Sequence, residues 1–410
     1  MSPSRHVLLL TLFEFSVFNT IFSPICLHMS AFFCYFANSY NNQNQTIMAN
    51  TTENANLCGL KREDFQTTIN GKKTDLYILR NRKGYEVAIS NYGGAICAIM
   101  VPDKNGNVGN VIQGHANIES LMSGNEPYLS TLIGRWGNRI CKGQFTLNGK
   151  EYQVAINNGP NHLHGGLKGF NAKVWDARQM GPRSLALHRV SSYGEEGYTG
   201  ELDVTVEFTF TDQNELILEY LATTNKKTIV NLTHHAFFSL AGTADPTPTI
   251  DDLVCEINAD FYLPTDDTAI PTGEILKVEG TPFDFRKPKA IGKEIDADFE
   301  QIKFGNGYDH NYVLNKQEEG ELSFAARLTE PKSGRTLECY TTEPGMQLYT
   351  GNYLCGYKGA NGATYPRRSA VCLETQHFPD TPNRPYFPSV VLNPGQRYKQ
   401  KTIYKFGVEC

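Results

Sequence analysis

Two histidines side by side break an apolar run at residues 231–240, Asn-Leu-Thr-His-His-Ala-Phe-Phe-Ser-Leu. Its aromatic and apolar character predicts a strand, and a strand turns successive side chains to opposite faces. His234 and His235 therefore cannot both enter one pocket. Imidazole titrates near neutrality, so whichever faces a reacting centre can give or take a proton there. A second group of that kind is Glu374, which follows the apolar residues 370–373. A carboxylate at the end of a buried strand loses solvation, and its pKa rises toward that of a useful general base. A glutamate and a histidine across one pocket make an acid/base pair. Taken alone, each has a plainer reading: a hydrogen-bonded structural histidine, or an exposed glutamate at a strand end.

What argues for chemistry is the company these residues keep. Residues 134–140, Gly-Arg-Trp-Gly-Asn-Arg-Ile, set Arg135 and Arg139 around Trp136 and Asn138. A guanidinium fork can hydrogen-bond two neighbouring hydroxyls and stays charged at any pH. Which arginine is buried depends on whether the strand is bulged, and surface salt-bridging is the alternative for either. Residues 157–166 form a turn-rich loop carrying His162, His164 and the pair Gly165-Gly166, which permits close backbone approach. Two histidines at i and i+2 could ligate a metal with a third partner, but no His-Glu-x-x-His or carboxylate pattern lies nearby. Hydrogen bonding to a polar ligand is the expectation, with no metal. Asp309, in the loop 305–312, can accept from two adjacent hydroxyls, or can simply cap a turn.

The elements that must position these groups read as strand after strand. Residues 201–210 alternate apolar and polar, 211–214 turn, and 215–220 resume with Leu216, Leu218 and Tyr220 inward. Residues 144–147 and 150–154 flank Asn148-Gly149, a strong hairpin signal, and 103–107 form another such turn. Long helical periodicity is scarce, and no repeat or linker follows residue 60. The fold class predicted is all-β, a single large antiparallel β-sandwich over residues 60–410. Residues 1–59 are read as an apolar leader and polar linker outside that fold. Their apolar run is interrupted by Glu14, Asn19, Pro24 and His28, which suits neither a membrane span nor a clean signal peptide. Met48 is a credible alternative start.

Composition excludes several classes. With 43 acidic against 38 basic residues the net charge is -5, which gives no footprint for nucleic acid or an anionic membrane surface. Ten cysteines are scattered without a CxxC pair, so most are read as buried free thiols, in keeping with a reducing compartment. A cytoplasmic monomer is expected, with secretion the alternative if residues 1–36 act as a signal. The sequon at Asn231 would be an awkward glycan site on a buried strand.

Five segments together resemble the aldose 1-epimerase (galactose mutarotase) family: residues 134–140, 161–166, 231–238, 308–311 and 373–380 match it in order. Residues 387–395 look like its closing signature, and the likeness runs from about Asp75 to Phe406. The resemblance implies a supersandwich fold without metal, nucleotide or other cofactor, acting on free aldohexoses such as galactose and glucose. Carried over by position, His235 is the proton donor and Glu374 the proton acceptor. Asn138, Arg139, His164, Asp309 and Gln347 bind sugar hydroxyls. The chain departs from the family at His234, usually Asn, Ala236, usually Ser, and Gly137, usually Ala; the spacing to Phe237-Phe238 assigns the catalytic role to His235.

Two rival readings remain in view, and a third is excluded. A phosphosugar epimerase of the same fold would need an arginine cluster, for which Arg367-Arg368 is the only adjacent pair. A non-catalytic sugar binder would not need both His235 and Glu374. A nucleotide-sugar 4-epimerase is excluded by the lack of a Gly-x-Gly-x-x-Gly after a strand near either end.

Overall fold

The computed structural model describes residues 56–409. The expectations for residues 1–55, and for Cys26, Cys34 and Cys410, lie outside the described residues. Packing begins before residue 60: the Leu57 and Cys58 backbone N–H groups point at the buried Glu86 carboxylate, and Cys58 and Leu60 are buried.

The alternation at residues 201–220 is realised directly. Strand Leu202–Phe210 buries Leu202, Val204, Val206, Phe208 and Phe210, and pairs antiparallel with Glu215–Thr224 so that Phe208 faces Leu218 and Val206 faces Tyr220. These two are the third and fourth strands of a nine-stranded sheet. Its order continues through Tyr398–Val408, Arg335–Thr341, Ser323–Thr329 and Val254–Ile257 to Lys289–Ala290. A five-stranded sheet (Leu276–Lys277, Phe261–Tyr262, Asp309–Val313, Gly345–Tyr349, Cys372–Gln376) and a four-stranded sheet (Leu76–Arg80, Glu86–Ser90, Ala95–Pro102, Val108–Asn110) complete the larger layers. Every pair of these strands is antiparallel. One apolar core joins the layers, with Leu216, Leu218 and Phe406 from the large sheet packed with Met346, Leu348 and Leu373 from the second and Val87 and Ile89 from the third. Both hairpins form where expected, Gln144–Leu147 with Lys150–Gln153 and the 103–107 turn.

The five-stranded sheet carries the chemistry, and its register explains how. Asn311 pairs with Gln347, and Gln347 with Glu374; Asp309 pairs with Tyr349, and Tyr349 with Cys372. Directly paired residues share a face, so one face carries Asp309, Asn311, Gln347, Tyr349 and Glu374. The other carries Tyr312, Met346, Leu348 and Leu373 into the core. Glu374 sits in the middle of its strand, Cys372–Gln376, rather than at the end of an apolar one, and Asp309 opens a strand instead of preceding it. Asp309 and Glu374 line a cavity, and the polar neighbours His310, Asn311, Thr375 and Gln376, which suggested loops, are buried within these strands.

Of the described cysteines, Cys58, Cys97, Cys255, Cys339 and Cys372 are buried free thiols, Cys141 is half-buried and Cys355 is exposed. Among the described residues no helix is long and apolar enough to cross a membrane.

Candidate active site

Strand alternation separates the two histidines as the sequence demands. Strand Thr233–His234 pairs with Leu132–Ile133. His234 turns into the core, where its Nε2 lies 3.2 Å from the Gly94 carbonyl and its ring meets Phe208 edge-on. His235 turns the other way, into a cavity of about 560 Å³ that it shares with Asn138, Arg139, His164, Asp309 and Glu374. His235 Nε2 stands 3.4 Å from Glu374 Oε1, and both side chains are buried.

The segment 134–140 is neither a regular strand nor a simple bulge. Asn138 adopts a positive φ of 64°, and regular pairing resumes only at Arg139–Ile140, which ladders with His162–Leu163. The break sends the two arginines apart. Arg135 is buried in the structure, its guanidinium donating to the carbonyls of Ser191, Thr199 and Gly200. Arg139 lines the cavity, with its Nε donating to Asn158 Oδ1 at 3.1 Å. Asn231 fixes this segment from beneath: its backbone carbonyl accepts from Gly137 N–H at 2.6 Å, and its Nδ2 donates to the Gly137 and His377 carbonyls. Asn231 is fully buried, so the sequon's acceptor nitrogen is committed inside the fold.

The 157–166 loop divides its histidines in the same way. His162 is a structural residue between the Ala155 carbonyl and the Tyr198 hydroxyl. His164 enters the cavity. Gly165 makes this possible, because a Cβ there would lie 2.0 Å from the Gly134 carbonyl oxygen. His164 Nδ1 accepts the Asn138 backbone N–H at 3.1 Å. That bond places the neutral ring's proton on Nε2, which faces the cavity as a donor. His164, His235 and Glu374 offer ligand atoms within 4.8 Å of one another, a spacing a cation could bridge. A metal on His164 Nε2 would force a proton onto Nδ1, against the Asn138 N–H. The tautomer suits a hydroxyl acceptor and opposes a cation.

Asp309 and Gln347 act together, since Gln347 Nε2 donates to Asp309 Oδ1 at 2.7 Å. Gln347 stands behind Asp309 and is not itself among the cavity-lining side chains. Its Oε1 has no partner among the described residues.

Burial controls the charges. It lifts the Glu374 carboxyl well above the usual range, helped by the negative Asp309 and opposed by Arg139. It lifts Asp309 too, offset by Arg139 and the Gln347 hydrogen bond. It holds His235 down at about 3 and His164 well below 6.5. The resting site thus contains two neutral imidazoles and a carboxyl that retains its proton far beyond the ordinary range.

Several lining residues carried no sequence signal: Glu126, Tyr128, Phe304 and Tyr353. The Tyr128 ring packs edge-on against His164 at 4.7 Å and stacks beside His235 at 6.3 Å. Tyr349 was detectable in principle, two residues from Gln347 on one strand face.

The sequence profile described as aldose 1-epimerase matches residues 75–405. Galactose mutarotase of Homo sapiens is 47% identical over 323 residues, covering 78% of this chain and 91% of its own length. Aldose 1-epimerase of Escherichia coli (strain K12) is 33% identical, covering 83% of this chain and 97% of its own. The crystal structure of a GalM/aldose epimerase homologue from C. elegans superposes with a TM-score of 0.75 at 30% identity, covering 82% of this chain and all of its own. The all-β fold, the buried pocket and these relatives agree: this chain belongs to the aldose 1-epimerase family, and it is an enzyme of that class.

Proposed function

We propose that this enzyme interconverts the α and β anomers of free aldohexoses, galactose and glucose among them, with Glu374 and His235 as its acid/base pair. The observation that carries this is the 3.4 Å approach of His235 Nε2 to Glu374 Oε1 inside a polar, buried cavity. Galactose enters through the name of the human relative.

Glu374 takes the proton from the anomeric O1. The O1–C1 bond becomes a carbonyl, the C1–O5 bond breaks, and its electron pair stays on O5, which takes a proton from His235. Rotation about C1–C2 presents the other carbonyl face, and the same steps in reverse close the ring. The pair needs one proton in total, held as Glu374⁻/His235⁺ when chemistry begins. In the empty site burial favours the neutral arrangement of that same proton. The bound sugar tips it: the ring oxygen accepts from His235⁺, and the O1 hydroxyl donates to Glu374⁻. Positioned groups of this kind contribute about 10²–10⁴-fold each.

His164 Nε2–H, the Arg139 fork, Asn138 and Asp309 supply donors and acceptors for the remaining hydroxyls, with Gln347 holding Asp309. Neutral sugars suit this set. Among the described residues Arg139 is the only arginine lining the cavity, whereas Arg368 is bound by Asp296 and Arg367 by the Asn352 and Asn306 carbonyls. Polarimetry of freshly dissolved α-D-galactose tests the reading. Acceleration over the uncatalysed drift supports it, and an unchanged trace at micromolar enzyme refutes it.

A further inference from the structure

We propose that Asn231 is a positioning residue: its buried carboxamide splices together the segments that carry His235 and Glu374 and so sets the separation of that pair, a role that rests on the mechanism above. The two segments run antiparallel and are tied at both ends. At one end Phe238 and Val371 exchange backbone N–H to carbonyl bonds at 2.8 and 2.9 Å. His235 stands three residues before Phe238, and Glu374 three residues after Val371, so a regular ladder would set them directly opposite one another. The ladder stops short of them. Among the described residues no backbone hydrogen bond joins residues 232–237 to residues 372–376. The His235 backbone bonds on its other side, to Ser130 and Thr131, and Glu374 pairs with Gln347.

A side chain closes the other end. Asn231 Oδ1 accepts the His377 backbone N–H at 3.0 Å, and Asn231 Nδ2 donates to the His377 carbonyl at 3.2 Å. Two residues of an antiparallel ladder exchange both bonds in the same way, so the carboxamide stands in for a peptide group. It can do so because it carries a donor and an acceptor on one planar group. Nδ2 also donates to the Gly137 carbonyl at 3.1 Å, just before Asn138 and Arg139. That tie has a backbone duplicate: Gly137 N–H donates to the Asn231 carbonyl, and Asn231 N–H to the Arg135 carbonyl. The tie to His377 has no backbone duplicate among the described residues. Without the carboxamide, each catalytic segment stays paired on its outer side, and the two are left hinged at Phe238 and Val371. A misplacement of about 1 Å between reacting groups can cost about 10²-fold in rate.

Polarimetric kinetics of Asn231→Ala with galactose test this. kcat should fall at least about tenfold while KM stays within about threefold, because Asn138 and Arg139 keep their backbone ties. Asn231→Ser keeps a polar group at the site but cannot hold both bonds to His377. It should show the same split, and it carries the test if the alanine variant fails to fold. A purely structural role would lower the folded fraction and multiply any other loss. The decisive arm is therefore Asn231→Ala in the Glu374→Gln background, with enough enzyme to measure the residual rate. There the further loss should be less than about threefold, because the pair being spaced is already disabled. A further loss as large as in the wild-type background overturns the proposal, as does a kcat of Asn231→Ala within threefold of wild type. Near-normal turnover in Glu374→Gln alone contradicts the catalytic reading, whereas an unimpaired Asn231→Ala beside an impaired Glu374→Gln contradicts only the splice.

Discussion

His235 Nε2 and Glu374 Oε1 approach to 3.4 Å from different layers of the fold, one just past a two-residue strand, the other mid-strand in the five-stranded sheet. Groups so close titrate as a unit, and the proton that matters belongs to the pair. The same strand that delivers His235 must bury His234 on its far side. In the proposed mechanism the adjacent histidines thus have unrelated duties, one to the reaction and one to the core.

Replacing His234 with Asn should leave turnover within about threefold of wild type while lowering stability by about 1–3 kcal/mol, because a buried contact to the Gly94 carbonyl is altered and packing against Phe208 is lost. Urea unfolding beside a turnover assay checks both halves. A large loss of kcat with unchanged stability would reverse the assignment of the two histidines.

Asp309→Asn should raise KM for galactose by about tenfold or more, since a hydrogen bond to a charged acceptor is weakened. It should also move the pH profile. Asp309 helps hold Glu374 above its ordinary pKa, so removing that negative charge lowers the Glu374 pKa and shifts the profile to lower pH. Glucose 6-phosphate should remain a poorer substrate than glucose by kcat/KM in the wild type. If it proved the better one, the phosphosugar reading would prevail.

How much of the fold and site is legible in the sequence depends on whether a residue obeys a period. The opposed faces of His234 and His235, and the inward Leu216, Leu218 and Tyr220, follow from alternation alone. The polar neighbours of Glu374 and Asp309 look like loop, which puts both residues at strand edges; in the fold those neighbours are buried within two strands of the five-stranded sheet. Alternation cannot tell Arg135 from Arg139, because a positive-φ Asn138 breaks it between them. Glu126 and Tyr128 lie on an irregular segment, where no spacing betrays direction.

Glu195 should make the fold acid-sensitive. Despite partial burial, which would raise it, hydrogen bonds and charge from Arg189, with Lys173 and Ser191, hold it down at about 2. Arg189 in turn lies over Phe170, whose backbone N–H donates to the Gly134 carbonyl at the start of the arginine segment. A depressed carboxylate stabilises the fold fully above its unfolded pKa of about 4.5, and that contribution is lost as pH falls through 2. Roughly 2–3 kcal/mol is at stake after allowing for partial exposure. Glu195→Gln should therefore be less stable than wild type at pH 7 and converge with it near pH 2, as followed by circular dichroism. A difference that persists unchanged at pH 2 would contradict this.

A chain starting at Met48 should fold and turn over galactose as the full-length chain does, since the match to the family profile begins only at residue 75. Removing residues through Leu60 should instead cost stability, because Glu86 loses the Leu57 and Cys58 N–H donors and the core loses Cys58 and Leu60. Soluble yield and thermal midpoints of the two truncations decide it. An inactive Met48 form would show that the leader matters, and a glycosylated full-length product in the medium would overturn the expected cytoplasmic location.

The central claim is that Glu374 and His235 share one catalytic task, and polarimetric kcat values for Glu374→Gln, His235→Asn and the double variant test it most directly. Each single change should lower kcat by at least about two orders of magnitude, and the double variant should fall little further than the worse single one, because removing either partner already disables the pair. Near-normal turnover in Glu374→Gln, or losses that simply multiply in the double variant, would contradict it.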